Sequence, residues 1–276
     1  MKKFTVEENQ KLKTFTDNFF PQGSFAFSRL IRDKDIKING KKVGENKSVF
    51  VGDEIVYYTT QKEENATFFD VVYEDENVLI ADKYSGVNSE ALFYHLSQLG
   101  EYYFIHRLDR NTSGLIIFAK NKATEKALLN AFKQKKVKKV YHAICCNPFK
   151  KQADVLCDYL IKDEKNAKVK VYSCQKPNSQ KITTEYKVLK NLGDCSLVEI
   201  VLHSGKTHQI RAHMAFYGNA VVGDEKYGNG QINKKYGVKR QLLVAKQLSF
   251  IDAEGLENLN GHTFYSKFSA ELKIKG

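Results

Sequence analysis

The chain has 276 residues, 42% of them hydrophobic, which suits one large domain or a small one plus a medium one and excludes a disordered tail. Its 44 Lys and Arg against 32 Asp and Glu leave a formal charge of +12, which predicts attraction to a polyanion through counterion release. Five cysteines, an odd count with no Cys-x-x-Cys pair, argue against a disulfide framework or a thiolate zinc site and suit reduced thiols in a cytoplasm.

In chain order, "MKKFTVEENQKLK" has lysines but no apolar stretch behind them. The longest apolar runs are strand-sized, against the ~20 residues a membrane span needs. A soluble cytoplasmic protein without a membrane partner is expected. "KLKTFTDNFF" and "SFAFSRLIRDKD" carry apolar residues at helical spacing, broken by Pro21 and Gly23. "IKINGKKV" predicts a hairpin turning at Asn39-Gly40, and "SVFVGDEIVYY" a second turn at Gly52-Asp53 leading into a strand. With Arg29, Arg32, Lys37, Lys41 and Lys42, residues 1–62 form a small basic αβ module. The polar stretch "TTQKEENAT", Thr59 to Thr67, reads as a linker, with the boundary placed at residues 63–70 and a second domain at residues 71–276.

This first segment resembles the small RNA-binding domain named after a ribosomal small-subunit protein. That family pairs an arginine-bearing helix with an Asn-Gly-Lys turn and a later Gly-Asp turn. The resemblance implies that Arg29, Arg32, Lys37, Lys41 and Lys42 bind RNA.

From Phe68 onward strands and helices alternate. "VLIADK" and "GLIIFAK" read as strands. "NKATEKALLNAFKQKK" reads as a helix capped by Asn121, with Ala127, Leu128, Ala131 and Phe132 on one face. "KVYHAICC", "TTEYKVLKN" and "CSLVEIVLHSG" are further strands, and "QLLVAKQLSFI" is a late one. "THQIRAHMAFYG" reads as a short helix with Thr207 as candidate N-cap, stopped by Gly218, and "YGNGQIN" as a surface turn. Successive strands without intervening helices predict an α+β fold with a mixed, largely antiparallel sheet and flanking helices. The run "KQKKVKK", Lys133 to Lys139, has more lysines than a helix dipole calls for; a phosphate-facing patch and a solvated surface both fit it.

His203, His208 and His213 recur every five residues, but on a helix each step of five turns the side chain by about 140°, so they cannot close on one ion. No metal site is expected. Asp109 lies in "HRLDRNTSG", a turn rich in cations and hydroxyl groups at the mouth of a strand. A carboxylate so surrounded suits a nucleophile or base better than a general acid. The same spacing also fits an Asx-turn or an ion pair that only shapes the loop. In "HSGKTHQIRAH", His208 and Arg211 fall on one helical face at i and i+3, where an arginine could hold Asp109.

Together "HRLDRNTSGLIIFAK" and "SGKTHQIRAHMAFYGNAVVGDEKYG" resemble the RluA-type RNA pseudouridine synthases. Their signatures run His-Arg-Leu-Asp-x-x-Thr-Ser-Gly, Gly-Arg-Thr-His-Gln-Ile-Arg and Gly-Asp-x-x-Tyr-Gly, and "KVYHA" and "LLVAKQLSF" match two further segments in order. The resemblance implies a pseudouridine-synthase sheet and an isomerase acting on ribosomal or transfer RNA. Asp109 would be the catalytic carboxylate, Tyr141 would stack on the base, and Arg211 would pair with Asp109. Leu242 or Leu243 would pack beside the site, with His208 nearby, and Arg107 would fill the gap in the RNA stack. No cofactor or metal is implied, and a monomer is expected. Two departures stand out: "DKYSGVNSE", Asp82 to Asn88 and beyond, has Tyr84 in place of the family's Pro and no His, and Lys206 replaces the usual Arg. The alternative is a non-catalytic RNA-binding protein that keeps the fold.

Overall fold

The computed structural model describes residues 1–19, 24–58, 67–163 and 168–272. In the first segment, strands β1 (Lys2–Thr5), β2 (Gln10–Lys11), β3 (Ile36–Ile38), β4 (Lys41–Lys42), β5 (Ser48–Val49) and β6 (Glu54–Tyr57) surround helices α1 (Leu12–Phe19) and α2 (Ser24–Arg32). β1 pairs with β6, which pairs with β3, and β3 turns into β4; β2 pairs with β5. The β3–β4 turn has both Asn39 and Gly40 at positive φ, as a two-residue hairpin loop requires. Leu12, Phe15, Phe27, Leu30, Ile36, Ile55 and Tyr57 close a core of their own. The edge strand β1 came without a sequence signal, since "KKFT" is short and mostly exposed. The expected break at Pro21 and Gly23, and residues 63–66 of the expected linker, lie outside the described residues, while its last two residues, Phe69 and Asp70, already belong to a strand.

Strands β7 (Phe69–Glu74), β8 (Val78–Lys83), β9 (Tyr103–Phe104), β10 (Ser113–Ala119), β11 (Val137–Cys146), β12 (Ala153–Asp163), β13 (Lys168–Tyr172), β14 (Gln180–Asn191), β15 (Cys195–Leu202), β16 (Leu243–Phe250) and β17 (Thr263–Tyr265) form one sheet of eleven strands. Its order is β13-β12-β14-β15-β11-β16-β10-β8-β7, with β17 against β16 and β9 against β10. Helices α3 (Ser89–Ser97), α4 (Lys122–Lys133), α5 (Gln209–Phe216) and α6 (Gly230–Lys235) flank it. The fold is α+β and largely antiparallel, the ladder between β10 and β16 being parallel. β8 and most of β10 are buried on both faces, which is why they read as continuous apolar runs.

Two readings are corrected here. Thr207 does not cap α5; His208 occupies that position in a left-handed conformation with no side-chain capping bond. "YGNGQIN" is not only a turn, because Asn229 accepts from the backbone N–H groups of Gln231 and Ile232 and starts α6.

Candidate active site

The loop between β9 and β10 carries Asp109, and four other segments fix it. Ser89 Oγ bonds both backbone groups of Leu108. The carbonyl of Arg110 accepts from Gly86 N and from Lys83 Nζ, Ser85 Oγ donates to the Asn111 carbonyl, and Gln241 Nε2 donates to Thr112 Oγ1 at 2.6 Å. Lys83 is fully buried and also donates to the carbonyls of Tyr84 and Val87. Its three carbonyl acceptors match the three donors of an ammonium group. Burial pulls Lys83 down to about 7, against the opposing charges of Asp109 and Glu90. The atypical segment from Asp82 to Asn88 is therefore the cradle of the Asp109 loop, with Lys83, Ser85 and Gly86 in place of any contact that a proline or histidine would make.

Behind β10 the parallel ladder pairs Ser113 with Val244 and Gly114 with Ala245. On the other side of β16, β11 shifts register between Val140 and Tyr141. Such a bulge re-aims side chains beside a site. It sets Tyr141 against Ala245, next to Leu243. Asp109, Tyr141, Leu243, His208 and Arg211 line one cavity of about 310 Å³, of the size that ligand pockets have.

The charged centre is a relay of three groups. Arg211 Nη1 donates to Asp109 Oδ2 at 2.7 Å. Its Nε and Nη2 donate to the two oxygens of Asp224 at 2.6 and 3.0 Å, a fork matching a carboxylate. The Asp224 side chain has no exposed surface. Burial works against its charge, but the Arg211 hydrogen bonds, the Arg211 charge and the backbone N–H groups of Lys226 and Tyr227 outweigh it and hold Asp224 below the usual carboxylate range. Asp224 thus fixes the guanidinium, and the guanidinium fixes Asp109.

His208 sits at φ 53°, a strained conformation for a non-glycine residue. The Tyr227 hydroxyl accepts from Val169 N and is hydrogen-bonded to His208 Nδ1 at 3.0 Å. His208 Nε2 faces Asp109 Oδ1 at 3.9 Å, too far for a direct hydrogen bond. Burial pulls His208 below its ordinary value against the charge of Asp109. Burial, then the charge of Asp109, raises Tyr141, which stays a neutral phenol.

Of the expected site residues, Asp109, Tyr141, Arg211, His208 and Leu243 come together. Leu242 does not: it packs on the opposite side of β16 with Ile144 and Val222, because neighbours along the strand face opposite ways. Arg107 stands at the rim, half exposed, with Nη1 2.7 Å from Glu90. In the first segment Arg29 reaches Asp35 at 2.9 Å and Arg32 reaches Asp33 at 2.9 Å, so their own helix end takes up both charges. Lys37 lies over the Tyr58 ring, and Lys41 and Lys42 are exposed on β4. The three spaced histidines diverge: His203 to Glu185, His208 to Tyr227, His213 to Asp158 and Thr184. Sequence reasoning missed Lys83, Asp224 and Tyr227. The last two lie in "GDEKYG", a segment that the resemblance quoted without assigning roles.

The family model described as RNA pseudouridylate synthase matches residues 77–216. The ribosomal large subunit pseudouridine synthase D of Borreliella burgdorferi is 31% identical, over 84% of this chain and 81% of its own length. The ribosomal large subunit pseudouridine synthase C of Vibrio cholerae is 27% identical, over 85% and 82%. In fold, human RNA pseudouridylate synthase domain containing 1 superposes with a TM-score of 0.58 at 24% identity, covering 67% of this chain and 79% of that one.

Proposed function

This chain belongs to the RNA pseudouridylate synthase family, and we propose that it isomerises uridines of large-subunit ribosomal RNA with Asp109 as the catalytic carboxylate. The observation that carries the reading is the relay from Asp224 through Arg211 to Asp109 at the wall of a cavity that also holds Tyr141 and Leu243. A buried, doubly anchored arginine aimed at one carboxylate oxygen orients that carboxylate far more tightly than a loop ion pair would need. The two relatives named for the large ribosomal subunit support the choice of RNA.

The reaction breaks the bond between ribose C1′ and N1 of uracil, turns the base, and joins C1′ to C5, whose proton leaves to water while N1 takes one up. No electrons are gained or lost. The uridine must first leave its stack, at a cost of a few kcal/mol, and needs a surface to receive it. The ring of Tyr141 and the apolar Leu243 serve that purpose. Asp109 answers the positive character that develops on the sugar, as carboxylates do in glycosidases. Residues 1–62 act as the RNA-binding module, with Lys41 and Lys42 exposed on β4 and Arg29 and Arg32 held by their neighbours. All five cysteines are free thiols, which suits work in a reducing cytoplasm, and the enzyme acts as a monomer.

The test uses large-subunit ribosomal RNA transcripts tritiated at C5 of uridine, with the intact chain and with Asp109→Asn. Tritium release by the first and none by the second is expected. Tight binding without release would instead make the chain an RNA-binding protein that keeps the fold.

A further inference from the structure

A second cavity, of about 490 Å³, opens beside the first, and Phe132, Lys139, Leu202, Gly205 and Lys206 line both. The end of α4, the start of β11 and the loop after β15 form it. Its walls carry Lys133, Lys135, Lys138, Lys139 and Lys206 against one carboxylate, Glu185. Glu185 faces His203 at 2.8 Å. Among the described residues, no ion pair joins a carboxylate to Lys133, Lys135, Lys138 or Lys206. A helix dipole accounts for cations at the end of α4. It does not account for Lys138 and Lys139 on β11, or for Lys206 in a loop that follows another strand.

Like charges gathered in one concave surface repel each other, and a concave surface focuses their field. The ligand that would relieve this is a chain of anions. At the junction of the two cavities, Phe132 is stacked on His106 with ring centres 4.9 Å apart, and Lys139 Nζ lies 5.5 Å from the centre of its ring. An aromatic platform between cationic walls is the arrangement that binds single-stranded nucleic acid.

We propose that this groove holds the RNA strand next to the target uridine, so that the strand leaves the catalytic cavity over Phe132 and lays its phosphates along Lys133, Lys135 and Lys138. The inference rests on the pseudouridine synthase reading and adds a path for the substrate strand. Through these contacts the groove contributes affinity and register, while the base itself is read in the first cavity.

The test compares the intact chain with K133Q/K135Q/K138Q and with a control, K126Q/K150Q/K190Q, whose lysines are exposed and line neither cavity. Binding of a short single-stranded oligouridylate is measured across a salt series. Each lost single-strand phosphate contact removes about 0.7 from the slope of log K against log salt. The groove variant should lose about 2 from that slope and bind roughly tenfold more weakly at physiological salt, with the control close to the parent. An unchanged slope, or an equal fall in the control, overturns the groove. Tritium release from ribosomal transcripts separates the two readings. Release by the parent together with an unchanged slope in the groove variant sinks the groove alone. No release from any transcript sinks the synthase reading, while the slope still reports on the groove.

Discussion

Arg211 stands between two carboxylates and satisfies both, so its loss strands a charge as well as a contact. The Asp224 side chain is completely buried and accepts from this guanidinium at both oxygens, beside the backbone N–H groups of Lys226 and Tyr227. Removing one partner of a buried pair costs about 3–5 kcal/mol. Arg211→Met should therefore lower stability by about that amount in urea unfolding and abolish tritium release. Arg211→Lys keeps the charge but cannot span both carboxylates, and misplacement of this kind costs on the order of 100-fold in rate. At this scale, what was legible followed chemistry and period. Asp109 stood out as a carboxylate among cations, and i,i+3 spacing put Arg211 and His208 on one face. Asp224 was not legible as a partner, because its approach to Arg211 is made by the turn after α5 rather than by any periodicity. His106 illustrates the same limit. It sits in the Asp109 signature, yet its Nε2 accepts from Ile117 N and its ring stacks on Phe132. Burial, then the charge of Lys139, pulls it down to about 3. An unfolded His binds its proton near pH 6.5, so between about 3 and 6.5 the unfolded chain holds a proton that the folded one refuses. Stability should fall as pH drops through that window, by up to about 1.4 kcal/mol per pH unit from this group. His106→Gln keeps an acceptor for Ile117 without a titrating ring. Urea midpoints measured from pH 7 to pH 4 should fall less steeply in that variant.

At the scale of elements, the parallel contact of β10 with β16 sets the mouth of the site. Gly114 makes that contact possible. Its φ is +110°, and a Cβ there would lie 2.3 Å from the Ala245 carbonyl oxygen and 2.6 Å from its nitrogen. No rotation of a side chain relieves a clash with backbone. Gly114→Ala should cost more than about 4 kcal/mol, the range reserved for a core that cannot rearrange. Loss of soluble, cooperatively unfolding protein is the expected result. Gly44→Ala is the contrast: its nearest neighbour would be the end of the Lys34 side chain at 3.8 Å, and no change in unfolding is expected. The sequence signalled the β10 strand and the glycine near its start as a pattern, but the reason for the glycine lies in a strand more than 120 residues later. Strands that are buried on both faces, and α4 with its Asn121 cap, were readable from local runs and spacing. The hairpin of β12 and β13 was not read, although "KVKVY" alternates lysine with valine as a strand with one buried face does. Helix α3 was hidden because its buried positions include Ser89, whose burial follows from bonding Leu108.

Considering the molecule as a whole, the N-terminal unit has its own core, and yet α1 packs against α3. α3 in turn holds the Asp109 loop through Ser89. Lys2 lies near enough to His95 on the same helix to depress it, after burial. The basic unit is thus connected physically to the Asp109 loop, beside the RNA-binding part proposed for it. Two consequences should separate on excision. Residues 67–276 retain the large sheet and the clusters above and below it, so they should still fold. Loosening α3 should lower the melting temperature by about 2–4 °C, the shift expected for about 1 kcal/mol in a chain of this size. The salt slope of RNA binding should also fall, by about 0.7–0.9 for each phosphate contact carried by the missing unit. In the intact chain, K41Q/K42Q should reproduce the slope change without the thermal one, because both lysines are exposed and make no core contact. A thermal shift in K41Q/K42Q as large as that of the excised chain would mean that the hairpin, and not α1, makes the brace.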